Sequence, residues 1–226
     1  MPEYIRRLKT SQKNLIKNLK MFKKFALILL IASPFINSQI ISEELVKKHL
    51  YTLSSDLMEG RKAGTKGIEK AAQYIEKEFN RIGLKKFENL ETYRQSFVKG
   101  DLSLFNIMGY LEGKSKKDEF VLISAHYDHL GMGGEGSLDR EQPAIHNGAD
   151  DNASGIAILL ALADKLKNQS PTITQNNYLF IAFSGEEMGL LGSNYFVKTP
   201  TIDTKKVSYM INMDMVGRLN DENSLA

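Results

Sequence analysis

From Leu102 onward, short apolar runs alternate with stretches of helical period, and no other feature restricts the fold of this chain so strongly. The runs are Phe105 to Leu111, Phe120 to Ala125, Tyr178 to Phe183 and Val207 to Met213, with a helix predicted from Ala153 to Lys167 and another after Glu187. Near-continuous apolar strands separated by helices predict an α/β fold, a mostly parallel twisted sheet with helices on both faces. In such sheets ligands bind outside the carboxyl ends of the strands. The glycine-rich stretch Gly131 to Gly136 reads as a loop beside that edge.

Two helices are predicted ahead of the sheet. Ser42 is positioned as an N-cap, with Glu43 and Glu44 in the first turn and an apolar face of Val46, Leu50, Leu53 and Leu57. The second spans Thr65 to about Ile82, with Ile68, Ala71, Ala72, Ile75, Phe79 and Ile82 on one face and Gly83 as a stop. Upstream, residues 1–38 read as a basic leader and signal peptide, and 39–226 as one domain. Residues 1–24 hold eight Lys or Arg against Glu3 alone, and Lys23-Lys24 precede the apolar run Phe25 to Ala32. That run is shorter than the roughly 20 apolar residues a membrane span needs, so export with cleavage near Ser38 is expected, to the periplasm or outside the cell, without a lasting anchor. Met21 is the more usual start for such a signal, and residues 1–20 are then an extension or lie before the true start. The leader carries +7 of a net charge of +3, so the remainder is −4 and has no footprint for nucleic acid. Nothing in the sequence sets an oligomeric state.

Polar residues follow the predicted strands closely. His126 and Asp128 come after Phe120 to Ala125, Glu186 and Glu187 after Tyr178 to Phe183, and Asp214 closes Val207 to Met213. Asp150 and Asp151 open the long helix. Each has an ordinary explanation as a turn, cap or helix-dipole residue. Together, however, six carboxylates and one imidazole at one sheet edge repel unless cations lie among them. The chain has no cysteine, so any metal site must use nitrogen and oxygen donors. Such donors suit zinc, with manganese or cobalt as alternatives, and bridging carboxylates suit a pair of ions about 3.5–4 Å apart. The i, i+2 spacing of His126 and Asp128 points both to one side of an extended chain, where Asp128 can hold the imidazole in its ligating tautomer.

The strings ISAHYDHLG (123–131), HNGADDNASG (146–155), FSGEEMGLLGS (183–193) and MINMDMVGR (210–218), in that order, resemble those of the family twenty-eight zinc metallopeptidases, which include secreted two-zinc aminopeptidases. MEGRKAGTKG (58–67) resembles the opening of the same domain, and the likeness runs from about residue 42 to the end. It implies the zinc aminopeptidase, phosphorylase–hydrolase-like fold. It also implies that His126 and Asp214 bind one zinc, Glu187 the other, and Asp150 bridges them, with Asp128 behind His126, Glu186 as general base, and a cis peptide between Asp150 and Asp151. The substrate implied is a peptide with a free N-terminus.

The family takes a further histidine from well beyond the Asp214 position, whereas twelve residues follow Asp214 here and none is His. The expectation is therefore a chain that stops before its last ligand and final elements, with the Glu187 site one donor short. Among the other histidines, His129 is expected to line the cleft or cap a turn, His146 to support the bridging loop, and His49 to sit exposed on the first helix. The competing expectations are a one-zinc glutaminyl cyclase, a catalytically impaired metal-binding fragment, and a carboxypeptidase.

Overall fold

The computed structural model describes residues 41–114, 118–134, 136–138, 143–169 and 176–218. The basic leader and apolar run at 1–38 lie outside the described residues. Five strands, β1 (Arg94–Lys99), β2 (Leu102–Leu111), β3 (Phe120–His126), β4 (Asn177–Phe183) and β5 (Val207–Asn212), form one sheet in the order β1-β2-β4-β3-β5. β3 pairs parallel with β4 and with β5, while β1 and β2 form an antiparallel pair that joins β4 antiparallel. Among the described residues the α-helices are α1 (Glu43–Leu53), α2 (Lys66–Ile82), α3 (Gly155–Asn168) and α4 (Leu191–Lys198). The expected α/β sheet with flanking helices is what forms, and β1, which the sequence did not signal, extends its antiparallel side.

Alternation along the central strands divides the core. Phe180 and Ala182 of β4, with Ile123 and Ala125 of β3, join a large cluster with buried residues of α1, α2 and α3. Leu179, Ile181 and Phe183, with Leu122, pack on the opposite face against Met108 and Phe196 of α4. The face predicted for α2 is entirely buried, from Ile68 to Ile82. Its ends are set by the Thr65 hydroxyl, which accepts from the Gly67 N–H at 3.2 Å, and by Gly83 at φ 79°, whose N–H reaches the Phe79 carbonyl. Among the described residues no helix is long and apolar enough to cross a membrane.

Gly155, at the start of α3, is required by close approach. A Cβ there would lie 2.5 Å from Asn152 Oδ1 and 2.6 Å from the Met213 carbonyl. The helix N-terminus is thus pressed against the chain leaving β5, immediately before Asp214.

Two expectations on α1 are corrected. The helix ends at Leu53, so Leu57 lies in the next turn and is 77% exposed. His49 is wholly buried, because it shares with Leu53 the i, i+4 stripe that faces the core. Its Nδ1 meets the Tyr74 hydroxyl at 2.6 Å, and its buried Nε2 has no partner among the described residues. Burial pulls this imidazole down to about 4, outweighing nearby Glu78. The folded value lies below the ordinary 6.5, so its contribution to stability is complete above pH 6.5 and is lost as pH falls toward 4. In a histidine-ring NMR titration, His49 is expected to titrate near pH 4. A midpoint near its ordinary value would contradict the burial.

Candidate metal centre

The carboxyl ends of β3, β4 and β5 lie side by side, and each hands its side chains to one place. β3 ends at His126, and Asp128 follows as a wholly buried carboxylate. Its Oδ1 accepts the Glu186 N–H at 3.1 Å and its Oδ2 the Glu187 N–H at 3.3 Å. The loop after β4 is thereby tied to the loop after β3. Beyond β5, the Met213 N–H donates to the Ser124 carbonyl at 2.8 Å, and Asn152 Nδ2 donates to the Met213 carbonyl at 2.9 Å. These bonds bring Asp214 beside His126.

Two donor clusters result. In the first, His126 Nε2 lies 3.2 Å from Asp151 Oδ1 and 3.4 Å from Asp214 Oδ1. In the second, His129 Nδ1 lies 2.7 Å from Glu187 Oε1 and 3.9 Å from Asp151 Oδ2. Asp151 belongs to both and offers one oxygen to each, the disposition of a bridging carboxylate.

Asp151, not Asp150, therefore takes the bridging position. Asp150 turns away, its Oδ1 accepting the Gly217 N–H at 2.8 Å and its Oδ2 standing 3.6 Å from Arg218 Nε. The cis peptide likewise joins Asp151 to Asn152, one residue later than the resemblance implied. Neighbouring aspartates cannot be told apart by spacing when the backbone between them follows an irregular π-type turn, here Ala149–Ser154, because no fixed period says which side chain faces the sheet edge. His126, Asp214 and Glu187 are all brought to this sheet edge. His129 stands in the second cluster, and its place at Glu187 was open to inference only from its spacing of three from His126. His146 lies outside both clusters, with Nε2 3.2 Å from the Ser137 hydroxyl.

The donors fit a metal ion. About 2.0–2.1 Å from a tetrahedral zinc, neighbouring N and O ligands sit roughly 3.3 Å apart, and the first cluster has edges of 3.2 and 3.4 Å. Among the described residues, buried His126 Nδ1 has no hydrogen-bond partner, and Asp128 Oδ1 stands 3.7 Å from it, on the side where a carboxylate would orient a ligating imidazole. Burial alone would pull the His126 imidazole down, but Asp128, Asp151 and Asp214 outweigh it and push it up to about 10. Contact with His126 in turn holds Asp151 below its ordinary value.

Glu186 differs from its neighbour. It belongs to neither donor cluster and lines, with His126 and Asp214, a cavity of about 260 Å³. Burial lifts its carboxyl above the ordinary value; His126 opposes this, and Asp128, Glu187 and Asp214 reinforce it. A carboxylate with raised proton affinity beside a metal-ligand cluster has the properties of a general base.

The sequence profile of Peptidase family M28 matches residues 106–225. The alkaline phosphatase isozyme conversion protein of Escherichia coli is 30% identical over 166 residues, 69% of this chain and 46% of that protein. A probable leucine aminopeptidase of Arthroderma otae is 30% identical over 187 residues, 80% of this chain and 46% of that protein. The chain spans about half the length, or less, of the curated relatives it matches. Among solved structures, a Zn-dependent exopeptidase from Parabacteroides distasonis superposes with a TM-score of 0.64 at 22% identity, covering 80% of this chain and 63% of that one. The glutaminyl cyclase of Tannerella forsythia gives 0.62 at 23%, covering 78% and 62%. Both likenesses show the fold.

The two aspartates are separable by substitution. Asp151→Asn is expected to lower zinc affinity by more than the roughly 10–100-fold that loss of an outer hydrogen-bond partner costs, whereas Asp150→Asn, which keeps an oxygen for the Gly217 N–H, leaves it nearly unchanged. Competition against a chromophoric chelator measures both, and the reverse ranking would restore Asp150 as the bridge.

Proposed function

Since this chain belongs to Peptidase family M28, we propose that it is an exported, two-zinc aminopeptidase that removes residues from peptides with a free N-terminus. The observation that carries this reading is the division of the Asp151 oxygens between two donor clusters. His126, Asp151 and Asp214 would hold one ion, and Asp151, Glu187 and His129 the other. Relatives named as probable zinc metalloproteases and leucine aminopeptidases support the choice of zinc and of an N-terminal substrate. Export rests on the lysine pair and apolar run ahead of the domain.

Bound zinc would supply a water of lowered pKa and polarise the scissile carbonyl. Glu186 would be the group that accepts a proton from the attacking water and returns it to the departing amine, a role that its raised proton affinity suits. Asp128 fixes the main chain at both glutamates by accepting their N–H groups. Phe183, Leu190 and Met210 give the adjoining cavity apolar walls, which suits an apolar N-terminal side chain. The surrounding carboxylates suit the α-ammonium group that such a substrate carries.

A one-metal cyclase of the same fold has no use for a second donor set, so the His129–Glu187 pair on the far oxygen of Asp151 favours hydrolysis. The tests are release of an aminoacyl fluorophore, with an N-acetylated peptide and an N-terminal glutamine peptide as controls. Cleavage of the blocked peptide, or cyclisation of the glutamine peptide instead of hydrolysis, would overturn the reading. Glu186→Gln is expected to retain zinc by elemental analysis and to lose about 10²–10⁴ in turnover. Undiminished turnover would remove Glu186 from the chemistry.

A further inference from the structure

Arg61 is the largest fully buried side chain described, 1% exposed, and no step above employs it. It ends the 3₁₀ turn Asp56–Arg61 at φ 48°, a left-handed conformation uncommon outside glycine. A buried guanidinium carries a large desolvation cost and is normally met by a carboxylate. Here the hydrogen bonds of its fork, among the described residues, all go to main-chain carbonyls. Nε donates to Tyr127 at 3.0 Å, Nη1 to Asn147 at 2.7 Å and also to Leu53, and Nη2 to Gly148 at 2.8 Å.

The placement of those carbonyls gives the arrangement its meaning. Tyr127 lies between His126 and Asp128. Asn147 and Gly148 lead directly into the turn that presents Asp151. The main chain adds a third tie, since the Arg61 carbonyl accepts the His129 N–H at 3.2 Å. One rigid planar group therefore spans the gap between the segments that supply His126, His129 and Asp151.

We infer that Arg61 is a positioning residue for the metal centre: its fork sets the spacing of the His126 and Asp151 segments, and its choice of carbonyls keeps its own donors off the carboxylates of Asp151, Asp214 and Glu187. Lysine cannot substitute, because its ammonium directs three donors from a single point and cannot span two segments. The inference rests on the metal-centre reading above.

The test compares the full chain with Arg61→Lys, using His126→Ala as the control that removes a proposed ligand. Far-UV circular dichroism checks folding, chelator competition gives zinc affinity, and the visible spectrum of the cobalt-substituted protein reports ligand geometry. Arg61→Lys is expected to fold, to bind zinc about 10–100-fold more weakly, and to show an altered cobalt spectrum. Unchanged affinity and spectrum would overturn the proposal. Should Arg61→Lys fail to fold, hydrogen exchange of the Arg61 Nε–H in the unaltered protein decides. Because coupling is reciprocal, zinc must slow that exchange if the clamp and the metal stabilise one geometry, and an exchange rate indifferent to zinc would overturn the proposal. If the unaltered chain binds no more zinc than His126→Ala does, the metal centre fails first and this inference falls with it.

Discussion

The enclosed carboxylate of Asp128 accepts the N–H groups of both Glu186 and Glu187, and the site geometry follows from that pair of bonds. It joins the ends of the two central parallel strands, β3 and β4, whose register runs unbroken from Phe120 opposite Asn177 to His126 opposite Phe183. A carboxylate with no exposure must find its hydrogen-bond donors within the protein, and it takes the two N–H groups of the next loop. The side chains of the two adjacent glutamates point in different directions. Glu187 goes to His129, and Glu186 goes to the cavity beside His126 and Asp214.

The remaining ties add to this frame. Asn152 binds the chain leaving β5 to the start of α3, its Nδ2 donating to Met213 and its Oδ1 accepting from Gly155. Arg61 binds the segments around Tyr127 and Gly148 from behind. The segments that carry the donors are therefore held by buried polar bonds between main chain and side chain, in addition to the contacts the donors make with one another. Like charges gathered so closely cost energy when the centre is empty and gain it when cations enter. Such a centre is pre-organised for metal because the fold, rather than the ligands, bears the cost of assembling it.

Several features could be read without coordinates because their signals are local. The caps of α2 at Thr65 and Gly83 follow from side-chain hydrogen bonding and the freedom of glycine at positive φ. The strands β2 to β5 follow from short apolar runs, and His126, Glu186, Glu187 and Asp214 from their places just after those strands. The burial of His49 was also in reach, since it lies one helical turn before Leu53. β1 was not, because its run of Arg94 to Lys99 is largely polar and forms by pairing with β2.

The sequence by itself determined the kind of fold, the strand ends at which chemistry gathers, and the restriction to nitrogen and oxygen donors that follows from having no cysteine. Tertiary structure alone decided which of two adjacent aspartates enters the centre, that His129 meets Glu187, and that Arg61 spends its fork on carbonyls. The physical reason is range. Caps and periodicity act over a few residues of regular backbone, whereas the direction of Asp151 is set in an irregular turn by partners from β3, β5 and the Arg61 turn, far apart in sequence and brought together only by packing.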